Sequence, residues 1–147
     1  MKRLLIYIIG VSLLVVSCDI VHRSGNGDLD GFWQLKAVDT LTNNHTCDMR
    51  ESQIAWAVQG ALLEVRKVDD LAFESDIVFQ FEHYSDSLLL HSPYIVKRDV
   101  GDVLVTDVSL LQPFGINDTE EGFRVLKLNG SKMILQSKTL RLYFRRY

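Results

Sequence analysis

Gly122-Phe123-Arg124-Val125-Leu126-Lys127-Leu128-Asn129-Gly130-Ser131-Lys132-Met133-Ile134-Leu135-Gln136 carries the clearest structural signal in the chain. Two apolar-rich runs flank Asn129-Gly130, and Phe123 and Val125 alternate with other residue types. Such alternation is the period of a half-buried strand. Asn-Gly between two such runs predicts a hairpin, closed by a type I′ turn with positive φ at both positions. Further strands follow from the same pattern. They run over Phe32–Val38, Gln53–Val58, Ala61–Val68, Asp76–His83, Ser87–His91 and Leu140–Arg145. Phe79 and Phe81 repeat the alternation, as do Leu140, Leu142 and Phe144. Around eight short strands spaced roughly 8–12 residues apart read as an antiparallel barrel or sandwich. Residues 51–68 stay open between two strands and a partly helical segment, because Ala55, Ala57, Ala61, Leu62 and Leu63 favour helix. Gly60 and the β-branched residues favour two strands. One short helical turn is expected at Asp118-Thr119-Glu120-Glu121, with Asn117 or Asp118 as its N-cap.

The N-terminus has a different character. Lys2 and Arg3 precede an apolar run of about 13 residues from Leu4 to Val16, followed by Ser17-Cys18. A spanning helix needs roughly 20 apolar residues. The run instead has the length of a signal-peptide core. Val15-Val16-Ser17-Cys18 resembles a lipobox, which makes Cys18 the lipidated first residue of the mature chain. The expected organisation is a signal peptide over 1–17, a lipidated Cys18 with a polar tether over 18–30, and one domain over 31–147. The expected location is the bacterial cell envelope, lipid-anchored and periplasm-facing. From residue 18 onward fourteen basic residues stand against nineteen acidic ones, a net charge of −5. That balance argues against a nucleic-acid partner. Arg141, Arg145 and Arg146 form a small basic cluster that alternates with apolar residues, as on a solvated strand face.

Little here points to catalysis. Cys47 has no intramolecular partner once Cys18 is acylated, and its polar neighbours suggest a loop. His45-x-Cys47 lacks a second pair at metal-ligand spacing, so no metal and no cofactor is expected. His83 and His91 flank a hairpin, but no carboxylate or Cys clearly converges with them. Asp69-Asp70 and Glu120-Glu121 read as acids facing water. Nucleophile-elbow, phosphate-loop, dinucleotide and zinc-helix motifs are absent from the sequence. His83, Glu82 and Arg141 are the titratable groups that an enzyme reading would need to converge.

Gly31-Phe32-Trp33 adds a resemblance. Lipocalins and their calycin relatives open their first strand with Gly-x-Trp, and a basic residue of the last strand packs across that Trp. The resemblance implies barrel closure by Gly31, Trp33, Arg141 and Arg145. The chain also resembles a group of lipocalin-like lipoproteins typical of Bacteroides. The tracts are Gly31–Leu35, Pro113-Phe114-Gly115-Ile116-Asn117-Asp118 and Ser137–Arg145. That group carries no catalytic residues to this chain. The combined expectation is an all-β, eight-stranded antiparallel lipocalin-like barrel. Trp33, Trp56, Phe79, Phe81, Phe123 and Phe144 would fill its core or line a ligand cavity. The expected function is a membrane-tethered, non-enzymatic binding module for a small apolar or amphipathic ligand. The alternative is a structural or protein-interaction lipoprotein with a filled barrel.

Overall fold

A computed structural model describes residues 25–68, 76–97 and 99–147. The segment expected to be a signal peptide, Cys18 and the first part of the expected tether lie outside the described residues. The described residues form ten strands: β1 (Gly31–Thr40), β2 (His45–Asp48), β3 (Ile54–Gln59), β4 (Leu62–Lys67), β5 (Ile77–Tyr84), β6 (Ser87–Ile95), β7 (Val103–Leu104), β8 (Glu121–Leu128), β9 (Lys132–Gln136) and β10 (Leu140–Arg146). Eight of them close a barrel in the order β1-β3-β4-β5-β6-β8-β9-β10, and β10 pairs back onto β1. Every pairing is antiparallel. Closure leaves the eight-stranded wall without a free sheet edge.

Alternation sets the interior. Trp33 and Leu35 on β1, Leu63 and Val65 on β4, Leu88 and Leu90 on β6, and Met133 and Leu135 on β9 are all fully buried. Residues 51–68 resolve into β3 and β4, joined through Gly60 at φ +62° and preceded by a 3-10 turn at Arg50–Ser52. The unbranched residues that favour helix are overridden by pairing on both sides of each strand.

The structure corrects three local expectations. First, Cys47 lies in the short strand β2, which pairs with the second half of β1, rather than in a loop. Second, residues 118–121 form no helical turn. Asp118 Oδ1 accepts from Thr119 N at 2.7 Å, the Glu121 carboxylate accepts from Asn117 N, and Glu121 already begins β8. The helical turns of this region are Val108–Leu110 and Gln112–Phe114. Asp107 caps the first by accepting from Ser109 N at 2.9 Å, and Pro113 suits the start of the second. Third, the β8–β9 hairpin forms without a type I′ turn, since neither Asn129 nor Gly130 has positive φ. Asn129 Oδ1 instead accepts from Ser131 N at 3.0 Å and Lys132 N at 2.9 Å. The asparagine side chain thus organises a three-residue connection.

Candidate functional site

The barrel has two different ends. At one end lie the β3–β4, β5–β6 and β8–β9 turns, the start of β1 and the end of β10. The 3-10 turn Gly27–Leu29 packs there, with Leu29 fully buried and its carbonyl accepting from Trp33 Nε1 at 2.8 Å. At the opposite end, the mouth, the segment 105–116 crosses the opening. Its residues Leu111 and Ile116 are fully buried and Phe114 nearly so. Trp56 Nε1 donates to the Phe114 carbonyl at 3.2 Å, which ties this plug to the barrel interior. Gly115 turns the chain at φ +81°, and a Cβ there would lie 2.7 Å from Leu142 Cδ2.

Between the two ends the expected aromatics meet one another. Trp56 lies 4.9 Å from the Phe144 ring and 5.8 Å, edge-on, from Phe123. Trp33, Trp56 and Phe79 are fully buried, Phe123 and Phe144 are 2% and 3% exposed, and Phe81 is half-buried at the margin of the core. Mid-barrel volume at the level of Trp56 is therefore occupied by the protein's own rings.

Closure of the barrel differs from expectation in its cation, since neither Arg141 nor Arg145 supplies it. The guanidinium over the Trp33 ring, 5.3 Å from its centroid, belongs to Arg146. Arg146 is in phase with Leu142 and Phe144, whereas Arg141 and Arg145 alternate onto the outer wall. Arg141 is held there by Gln136 Oε1 at 2.8 and 3.0 Å, and Arg145 is exposed. Arg146 also donates to the Asp30 carbonyl and lies where a Gly31 Cβ would be. Gly31 sits at φ +135°, so glycine gives the guanidinium its room and the backbone its conformation.

The titratable candidates do not converge. His83 points inward in phase with Phe79 and Phe81, and its Nε2 makes no hydrogen bond. Glu82 faces outward and accepts from Tyr84 Oη at 3.0 Å. His91 lies on the outer parity of β6, with Nδ1 3.1 Å from Ser92 Oγ. His45 and Cys47 are exposed on β2. Among the described residues no three His, Cys, Asp or Glu side chains group as metal ligands. A hollow of about 330 Å³ opens beside the mouth, lined by His91, Ser92, Pro93, Leu104, Val105, Thr106, Thr119 and Glu120. Ser92 sits at φ +52° in a bulge opposite Phe79. Bulges of this kind re-aim side chains near sites.

A model of the lipocalin-like domain matches residues 13–147. The chain belongs to the lipocalin-like domain family. Two solved structures share the fold. A lipocalin-like protein from Bacteroides uniformis ATCC 8492 is 16% identical with a TM-score of 0.61, over 82% of this chain and 100% of that one. An uncharacterized protein from Bacteroides eggerthii DSM 20697 is 16% identical with a TM-score of 0.58, over 80% and 98%. No curated protein matches this chain.

Within this lipocalin-like barrel the plug is fastened at its exit by Glu121, which accepts from Asn117 N. Burial pushes the Glu121 carboxyl above the usual glutamate range of 4.5, against the lowering pull of the Asn117, Ser137 and Asp118 hydrogen bonds. A raised folded-state pKa means the folded protein binds this proton more tightly than the unfolded chain. Its contribution is therefore full below about pH 4.5 and is lost as pH rises through the folded value. Glu121→Gln keeps an acceptor and removes the titration. Thermal unfolding of both proteins from pH 4 to pH 7 should show the wild type falling relative to the variant. Parallel curves would mean that Glu121 ionises without penalty.

Proposed function

We propose that this lipocalin-like domain is an envelope-tethered, non-catalytic binding module for a small apolar or amphipathic molecule. In this reading Cys18 carries the lipid and the domain faces the periplasm. The ligand lies at the mouth, between the plug and the β6–β7 rim, rather than deep among the aromatics. The observation that carries the reading is the mouth hollow, whose volume falls within the range of small-molecule sites. Its Pro93, Leu104 and Val105 offer an apolar lining, while His91, Thr106, Thr119 and Glu120 offer polar partners. Exposed Val100, Val103, Leu104 and Leu110 extend the apolar surface at the same end.

A second reading, a protein-interaction lipoprotein with a filled barrel, is favoured by the ring contacts of Trp56. The same exposed rim would then be the contact surface. Native mass spectrometry of the chain from residue 19 onward, followed by solvent extraction, separates the two. Binding predicts a reproducible co-purified small molecule, or a mass shift on adding envelope lipids. A clean apo mass under both conditions transfers the case to the second reading.

A further inference from the structure

The residues from Gly122 to Tyr147 hold seven of the sixteen Lys and Arg residues and no Asp or Glu. All nineteen acids precede them. The strand register turns this asymmetry into a surface. β8, β9 and β10 are neighbours in the barrel. Arg141, Gln136 and Arg124 form one row across them, and Tyr143, Ile134 and Lys127 form the next. Arg145 lies opposite Lys132 in a third. These residues alternate with buried Phe123, Met133, Leu135, Leu142 and Phe144, so they share the outer wall. With strands about 4.8 Å apart and a rise of about 3.4 Å per residue, five cations occupy a patch of roughly 10 by 14 Å.

The patch is poorly neutralised from within. Arg124, Lys127, Lys132 and Arg145 are exposed. Among the described residues none of them donates to a carboxylate. Among the described residues two acids border the patch. Asp39 on β1 lies opposite Arg141 and already accepts from Tyr143 and Thr46, both at 2.7 Å. Asp86 adjoins Arg124 through the β5–β6 turn, where its carbonyl accepts from Val125 N at 2.7 Å. Like charges directly opposite, as at Arg145 and Lys132, destabilise a sheet. A cluster retained at that cost suits an anionic partner.

Position selects the partner. The Arg145–Lys132 row lies at the barrel end where the tether enters. There Arg146 donates to the Asp30 carbonyl and Asn26 Nδ2 donates to the Gly60 carbonyl at 2.7 Å. Seven residue steps from Cys18 to Gly25 span at most about 25 Å. Exposed Leu126 and Tyr147 flank the patch and suit the headgroup boundary. We propose that the outer wall of β8–β10 docks on anionic phospholipid headgroups of the bilayer that anchors the chain.

The proposal rests on the Cys18 tether, and one experiment reads the two separately. The full chain, produced in cells that process it, is mixed with phosphatidylcholine vesicles or with vesicles containing 30% phosphatidylglycerol. Flotation on phosphatidylcholine alone reads the tether. The rate of lysine acylation on the two vesicle types reads the face. Each basic residue near an anionic surface raises partition about fivefold. Lys127 and Lys132 should therefore react at least fivefold more slowly on the anionic vesicles at 0.1 M salt. They should recover at 0.5 M, where screening is stronger. Lys97, at the mouth, should be unchanged. The double variant R124Q/R145Q, exposed and outside the core, should cut the protection to under twofold. Equal rates on both vesicles, or no association with the anionic ones, overturn the proposal. Protection by soluble dextran sulfate but not by vesicles overturns it too, and reassigns the face to a soluble polyanion.

Discussion

Trp56→Ala should lower the unfolding free energy by about 3–5 kcal/mol, the range for truncating a buried aromatic. The site has little scope to collapse. Trp56 is fully buried on β3, pairs with Trp33 on β1 and Val65 on β4, and meets Phe123 edge-on and Phe144 at a tilt. Its neighbours belong to a closed wall and cannot move inward without stretching hydrogen bonds. The variant also leaves the Phe114 carbonyl without its donor, an added penalty of about 1–3 kcal/mol for an unsatisfied buried group. Domains of this size are stable by only about 5–15 kcal/mol, so the variant should lie near the edge of folding. Trp56→Phe keeps a ring and removes the donor, so its loss should be smaller, about 1–3 kcal/mol. In that variant, hydrogen exchange should quicken in 108–116 before it quickens in the barrel strands. Urea unfolding of both variants provides the check. A loss below about 1 kcal/mol for the alanine variant would mean that the interior repacks around the missing ring.

Gly115→Ala should cost about 2–4 kcal/mol, although it adds a single methyl group. Part of the cost is conformational, since φ +81° lies in the left-handed region where an L-residue loses roughly 1–2 kcal/mol. The rest is steric. The new Cβ would meet Leu142 Cδ2 at 2.7 Å and Cδ1 at 3.2 Å, and overpacking a core costs about 1–3 kcal/mol. The double variant Gly115→Ala/Leu142→Ala should lose less than the sum of its parts, because removing the leucine methyls relieves the contact. Gly130→Ala is the control. It has no positive φ and nothing within 4 Å of its added Cβ, so it should stay near neutral. Additive losses in the double variant would place the strain in the backbone alone.

The eight barrel strands were legible because each combines apolar alternation with turn residues at its ends. The Gly-x-Trp start is legible too, but the motif does not say which arginine it meets. Leu142 and Phe144 set the inward parity of β10, and of its arginines only Arg146 shares it, not the Arg141 and Arg145 that the resemblance implies. The plug's position carries little sequence signal for a physical reason. Residues 108–114 fold as two single 3-10 turns, so they carry neither the strand period nor the helix period. Its best sequence signals are Asp107 two residues before Ser109, and Pro113 ahead of Gly115. The basic wall was hidden differently. Arg124, Lys127 and Lys132 are spread along the chain, and only the register of β8–β10 sets them beside Arg141 and Arg145.

The seam between β1 and β10 has a consequence for how this molecule comes into being. It joins Trp33 through Thr40 to residues 140–146, the strand pairing most distant in sequence among the described residues. Until β10 arrives, the first strand keeps an unpaired edge along much of its length, and so does β9. Open edges of this kind recruit strands from other chains, and pairings this distant in sequence form slowly. A chain still emerging from a ribosome therefore cannot complete its fold early. It stays threadable until its final strand is free, and it is then exposed to aggregation for a brief interval that a neighbouring chaperone would need to cover.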